Sequence, residues 1–265
     1  MHRLEPIRHL IIDMDGVLYL GNTPMPGLQD FFAFLHERQI DFQLVTNNAT
    51  LTPGMYVQKM AGMGVQVDES DVLTSATGTA EYLASRFPQG SRVYAICEEG
   101  MQDALQNKGL VLSRRDPVAV VVSMDRDLTY AKLREATLLI RSGVPFIASN
   151  PDRTLPVPEG QIPGTGTIVA AVEIASDCTP IIIGKPEPFL MIQAMKRMGA
   201  TTETTAAVGD RPETDILSAQ RAGILSILAL SGATDRDRLS TFDIKPDLIF
   251  DDIRALMAAW ARVLA

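Results

Sequence analysis

HLIIDMDG, residues 9–16, decides the fold class. After His9 the run is apolar without the alternation of a half-exposed strand, so it reads as a strand covered on both faces. Side chains at i and i+2 share a face of an extended chain, so Asp13 and Asp15 converge beyond the strand's carboxyl end, and Gly16 closes the segment. Open α/β sheets place their ligands at that edge. Two adjacent carboxylates repel unless a cation, a proton or a donor intervenes. A hard, oxygen-seeking dication such as Mg²⁺ suits them. A calcium EF-hand does not fit, because no helix precedes Asp13 and the further acidic positions of that loop are missing.

Outward from this strand, short apolar runs alternate with amphipathic segments, the pattern of a mostly parallel sheet covered by helices. A helix is expected over 28–39, a strand over 41–46, a helix over 53–64, a strand over 72–74 and a helix over 76–86. FPQGSR (87–92) then breaks the pattern. Strands follow at 92–97, 119–124 and 145–149, with a helix over 129–141. A connection rich in Pro and Gly (150–166) leads to a helix at 167–176 and a strand at 179–184. The remainder reads as strands 205–209, 224–230 and 246–250 with helices 213–223 and 252–264. The middle of the chain is thus an α/β unit of its own. The expected organisation is a core made of 1–80 and 181–265, with a domain of 81–180 inserted into it.

Composition narrows the function classes. The 265 residues are 46% apolar and 21% charged, which supports a substantial core and excludes general disorder. Twenty-four basic against 32 acidic residues leave a net charge of −8, which disfavours nucleic-acid polymers and anionic membranes as partners. No run reaches the ~18 apolar residues of a membrane span. The first apolar stretch meets Asp13 too early for a signal peptide, so a cytoplasmic protein is expected. Cys97 and Cys178 make neither a metal cluster nor a disulfide framework. His2, His9 and His36 lack the spacing of a metal or catalytic pair. A nicotinamide-binding turn would need glycines after the first strand, where DMDGVLYLGN stands instead.

Other strand ends carry chemistry. Thr46, Asn47 and Asn48 follow the 41–46 strand and offer a hydroxyl and amides to an anion. Lys185, in IIIGKP, can neutralise a phosphate, and Asp210 and Asp215 in GDRPETD add two acids. Together these residues suit phosphoryl transfer, which asks for an ionised nucleophile, little base catalysis and strong neutralisation of phosphoryl oxygens.

With DMDG (13–16), TNN (46–48), GKP (184–186) and GDRPETD (209–215) in this order, the chain resembles the haloacid dehalogenase-like phosphohydrolases. Within them it is similar to the NagD-like, 4-nitrophenylphosphatase branch. SNPDRTLP (149–156), IPGTGTIVAAVE (162–173) and VVVSMDRDLTY (120–130) match that branch's cap stretches, so the resemblance spans nearly the whole chain. Cys97 stands where relatives commonly have glycine.

The resemblance implies a Rossmann-like core with a mostly parallel sheet and an inserted α/β cap of the C2 type. It implies a Mg²⁺-dependent phosphatase for small phosphomonoesters, with Asp13 as nucleophile and Asp15 as proton donor and then base. Asp13, the Asp15 backbone carbonyl and Asp210 would hold the metal, and Asp215 would act from just outside that ligand set. Thr46, Lys185 and Asn47 would bind the phosphoryl group. Asn150, Asp152 and Arg153 are the cap's candidates for substrate contact, and a homodimer through the cap is expected. A non-catalytic phosphometabolite sensor and a phosphotransferase or phosphomutase remain the alternatives on the same core.

Overall fold

Leu10, Ile11 and Ile12 are at most 1% exposed in the strand His9–Ile12, which lies inside a six-stranded sheet. In the computed structural model, which describes residues 2–157, 160–237, 239 and 242–264, the strand order is Leu248–Phe250, Leu225–Ala229, Thr205–Gly209, His9–Ile12, Asp41–Thr46 and Val72–Thr74. The pairings from Leu248–Phe250 through Asp41–Thr46 are parallel. Parallel strands need covering on both faces, and amphipathic helices supply it. Helix Leu28–Glu37 buries Leu28, Phe31, Phe32 and Leu35. Helix Ile253–Val263 starts where the Asp252 side chain accepts the Ala255 N–H at 2.9 Å, and it buries Ile253, Leu256 and Trp260. The Trp260 ring lies 6.1 Å from that of Phe34, joining the two helices.

The chain divides into two compact units. One consists of Met1–Thr46, Pro53–Leu73 and Lys185–Ala265; the other of Asn47–Thr52 and Thr74–Gly184. The second is built on a five-stranded, wholly parallel sheet ordered Ile181–Ile182, Phe146–Ala148, Ala119–Val122, Arg92–Ile96 and Val111–Leu112. Its core includes Ile96, Val120, Val122, Ala136, Ile140 and Val172.

The unit boundaries differ from the composition breaks. Ile181 and Ile182 pair with Ile147 and Ala148, so the second unit runs to Gly184 and not to 180. Helix Ser75–Ala84 also belongs to it, packing on helix Glu99–Asn107. Ladder pairing and helix contacts set these limits, and a Pro/Gly break marks only a change of direction. The 150–166 connection contains the antiparallel hairpin Thr154–Val157 and Gly160–Pro163. A second small hairpin, Tyr19–Leu20 with Thr23–Pro24, follows Gly16. Two-residue strands carry no periodic signal, which is why it is absent from the sequence reading. The segment read as helix 213–223 opens as a π-turn over Pro212–Ile216 before Leu217–Arg221 continues as α-helix.

Trp260 is fully buried and is the only tryptophan. Trp260→Ala is expected to cost about 3–5 kcal/mol. Urea unfolding followed by circular dichroism checks this through a lowered midpoint at an unchanged slope.

Candidate active site

Three neighbouring strands of the first unit end at one edge of the sheet. Asp13 follows His9–Ile12, Thr46 ends Asp41–Thr46, and Asp210 follows Thr205–Gly209. Lys185 enters from the segment after Gly184 and is 2% exposed. Its Nζ lies 2.5 Å from Asp13 Oδ1 and 2.7 Å from Asp215 Oδ1, and it donates to the Val45 carbonyl at 3.2 Å. Carboxylate oxygens of Asp13, Asp210 and Asp215 all lie within 4.8 Å of one another.

The electrostatics follow from burial. Burial pushes the Asp13 carboxyl well above its ordinary value; Lys185 opposes the shift, and Asp215 and Asp210 add to it by repulsion. Burial and then Asp215 push Asp210 up to about 7, against the Ala233 N–H and the charges of Arg211 and Lys185. Burial alone would pull the Lys185 ammonium down, yet Asp13 and Asp215 more than offset it and hold its pKa above the usual range. Asp15 opens to solvent at the sheet edge, while the protein around it partly desolvates its carboxyl and raises it, with Lys59 the largest opposing charge.

Backbone devices hold the acids in place. Ala233 N–H donates to Asp210 Oδ2 at 2.6 Å, and Arg211 N–H donates to Asp215 Oδ2 at 3.1 Å. A Cβ on Gly16 or on Gly232 would overlap the Asp210 carboxylate, and Gly16 also has φ +85°, so only glycine fits there. The π-turn after Arg211 carries Asp215 back over Gly209, where a Cβ would overlap the Asp215 side chain. π-Bulges recur at functional sites for this reason. Gly16 was legible in the sequence as the end of DMDG. The Ala233 donor, Gly232 and the Val45 carbonyl carry no side-chain signature, and only the chain's path reveals them.

The second unit gathers a different group. Asn47 Nδ2 donates to Asp152 Oδ1 and Oδ2 at 3.3 and 3.1 Å. The Asn47 carbonyl accepts from Asn150 Nδ2 at 2.8 Å and from Ser75 Oγ at 2.5 Å. Asn47, Asn150 and Asp152 therefore form one cluster. Arg153 lines a groove of about 500 Å³ with Pro151, Thr167, Val169 and Glu173.

A chain with two acidic strand ends beside a buried lysine, on a parallel core interrupted by an α/β insertion, matches known proteins over nearly its whole length. Residues 10–111 match the family model for haloacid dehalogenase-like hydrolases, and 182–256 match a second HAD-hydrolase-like model. The acid sugar phosphatase of Staphylococcus aureus is 34% identical over 256 residues, covering 96% of this chain and 98% of that protein. The chain belongs to the haloacid dehalogenase-like hydrolases. Among solved structures, 4-nitrophenylphosphatase from Thermotoga maritima superposes with a TM-score of 0.94 at 36% identity, covering 98% of this chain and all of the other (100%). NagD from E. coli gives 0.87 at 31% identity, with 93% and 97% covered. These matches place the chain in the NagD and 4-nitrophenylphosphatase branch of the hydrolase family, with a Rossmann-like core and an inserted α/β cap.

In this hydrolase the Asp13, Asp210 and Asp215 carboxylates could together hold a metal ion. With Asp210 raised from 3.8 to about 7, the folded protein keeps a proton that the unfolded chain has lost between those values. Without metal, that group's contribution to stability declines as pH rises through this window. A bound cation must displace the proton, so the stabilisation it confers grows as pH rises. The thermal shift caused by a divalent cation is expected to be small below pH ~5 and large above pH ~8. Scanning calorimetry with and without chelator measures it; a shift that is absent at every pH would remove the metal assignment.

Proposed function

We propose that this hydrolase is a Mg²⁺-dependent phosphatase that cleaves small phosphomonoesters through an aspartyl-phosphate on Asp13. The observation that carries the reading is the buried Lys185 ammonium fixed on Asp13 and Asp215, with Asp210 beside them. In the first step an Asp13 carboxylate oxygen forms a bond to phosphorus as the bond to the ester oxygen breaks, and Asp15 gives that oxygen a proton. In the second, Asp15 takes a proton from water as the water oxygen displaces Asp13, releasing phosphate and returning Asp13 to its carboxylate and Asp15 to its protonated form. The Lys185 ammonium on Asp13 favours its ionised form against the effect of burial, so this nucleophile needs no histidine to activate it.

Asp13, the Asp15 carbonyl and Asp210 would hold Mg²⁺, with Asp215 next to them. The donor set is all oxygen, as this hard cation requires. The ion supplies charge neutralisation, so that an anionic carboxylate can approach an anionic phosphate. Lys185, Thr46 and Asn47 bind the phosphoryl oxygens. The second unit, residues 47–52 and 74–184, is the cap and sets leaving-group selectivity. Asn150 and Asp152 act there through Asn47, whose carbonyl and amide they hold. Arg153 is a further cap candidate on its own groove.

Aryl, sugar, glycolate, glycerol and nucleotide phosphates are the substrate classes of this reading. Similarity to an acid sugar phosphatase and to 4-nitrophenylphosphatase supports a small phosphomonoester. Among the described residues no helix is long and apolar enough to cross a membrane, in keeping with a cytoplasmic enzyme. A homodimer through the cap belongs to the same proposal: Ile174 and Ile181 are 83% and 48% exposed on that unit.

Asp13→Asn keeps the side chain's shape and removes the nucleophile. Phosphate release is expected to fall by three or more orders of magnitude, on the order of the loss when a covalent nucleophile is removed. Circular dichroism should stay native. Turnover near that of the unaltered protein would rule out Asp13 as the nucleophile.

A further inference from the structure

Lys59 has no part in the chemistry above, yet it is held against the same edge of the sheet. It lies on helix Pro53–Gly62, half-buried, with its Nζ 3.6 Å from the centroid of the Tyr19 ring. Tyr19 is fully buried and tied to the Asp15 segment: its carbonyl accepts the Gly16 N–H at 2.8 Å, and it forms a β-bridge with Asp15. A cation stacked on a fixed aromatic face has little freedom to wander. Lys59 is therefore presented beside the residue assigned to protonate the leaving oxygen.

Its charge is unmatched at contact distance. Lys185, Lys132 and Lys108 each pair with a carboxylate, at 2.5, 2.6 and 3.4 Å respectively. Among the described residues, Lys59 makes no ion pair and no hydrogen bond. Half-burial pulls its pKa down, and Asp15 is the carboxylate whose charge opposes that. Taking a cation out of water costs free energy unless an anion meets it. A substrate can bring that anion. The proton donor must lie within hydrogen-bond reach of the ester oxygen, so the atoms just beyond that oxygen pass close to the ammonium.

We infer that Lys59, on the core unit, adds to the leaving-group selectivity assigned to the cap, and that the preferred substrates carry a second anionic group, carboxylate or phosphate, near the ester oxygen. The inference rests on the phosphatase reading and narrows its substrate class. A lysine suits this task as a compact point charge that accepts either anion without bidentate geometry.

The test compares kcat/KM of the unaltered protein, Lys59→Met and Lys59→Arg. The panel is phosphoglycolate and phosphoglycerate, a sugar bisphosphate, and two esters with uncharged leaving groups, glycerol phosphate and an aryl phosphate. The unaltered protein should favour an acidic class, and the carboxylate and bisphosphate arms show which anion is meant. Lys59→Met should lower the ratio of acidic to uncharged kcat/KM about tenfold, mainly through KM, as for loss of one charge-assisted contact. Lys59→Arg should restore most of the ratio. An equal fall for every substrate would overturn the inference, since it would make Lys59 a support for the hairpin or the reacting centre. So would a preference of the unaltered protein for uncharged leaving groups while Asp13-dependent turnover is intact. Absence of turnover on every ester would instead bring down the phosphatase reading, and the inference with it.

Discussion

The buried Lys185 ammonium is the interaction on which the site depends. Three carboxylates, Asp13, Asp210 and Asp215, sit within 4.8 Å of one another, and two of these residues are under 5% exposed. Such a group is unstable by itself, because desolvation and mutual repulsion both favour protonation. Lys185 meets two of the three directly, and the Val45 carbonyl takes a further donor. One ammonium against three ionised acids still leaves two negative charges. The remaining strain falls on Asp13 and Asp210, both held above their ordinary values, Asp210 at about 7. A divalent cation has the charge that would close this deficit, and the three carboxylates could hold one.

Gathering these acids requires the backbone to come closer than side chains ordinarily allow. The Asp210 carboxylate lies against Gly16 and Gly232, and Asp215 folds back over Gly209. Each glycine is a place where a methyl group would displace a charged oxygen. The π-turn Pro212–Ile216 carries Asp215, whose side chain lies over Gly209. Local irregularity here is what the chemistry asks of an otherwise regular parallel sheet.

Much of this was legible because it rests on side-chain identity and strand periodicity. HLII announces a buried strand, and the acids and lysine at strand ends declare their own chemistry. The core sheet and most of its helices follow from the same periodicity. Less legible were features specified by backbone pairing alone. The hairpin at Tyr19 and the Ile181–Ile182 strand are too short to show a period, and the second takes its place from pairing with Phe146–Ala148. The Lys59 ammonium over Tyr19 joins residues forty positions apart, with no spacing rule to link them. Asn47 and Asp152 were each legible as polar residues after a strand, but their hydrogen bonding to each other was not.

That pairing lies next to a passage of the chain from one unit to the other. The chain passes between them at 46/47, 52/53, 73/74 and 184/185. Two of the sequence motifs are cut by these passages: Thr46 belongs to the core and Asn47 to the insertion, and Gly184 to the insertion and Lys185 to the core. Within the insertion, the residues next to three of the passages meet. The Asn47 carbonyl takes Ser75 Oγ and Asn150 Nδ2, and a Cβ on Gly184 would press on the Ser149 carbonyl and Asn47 Oδ1. A side chain at Gly184 would therefore disturb Asn47 and, one peptide bond away, the lysine that holds the acids. Thr46 and Lys185, proposed to grip a phosphoryl group, are thus each one peptide bond from a residue of this cluster in the insertion. If the insertion selects the leaving group as proposed, single peptide bonds at 46/47 and 184/185 would link that selection to Thr46 and Lys185, with the proposed nucleophile Asp13 on the other unit.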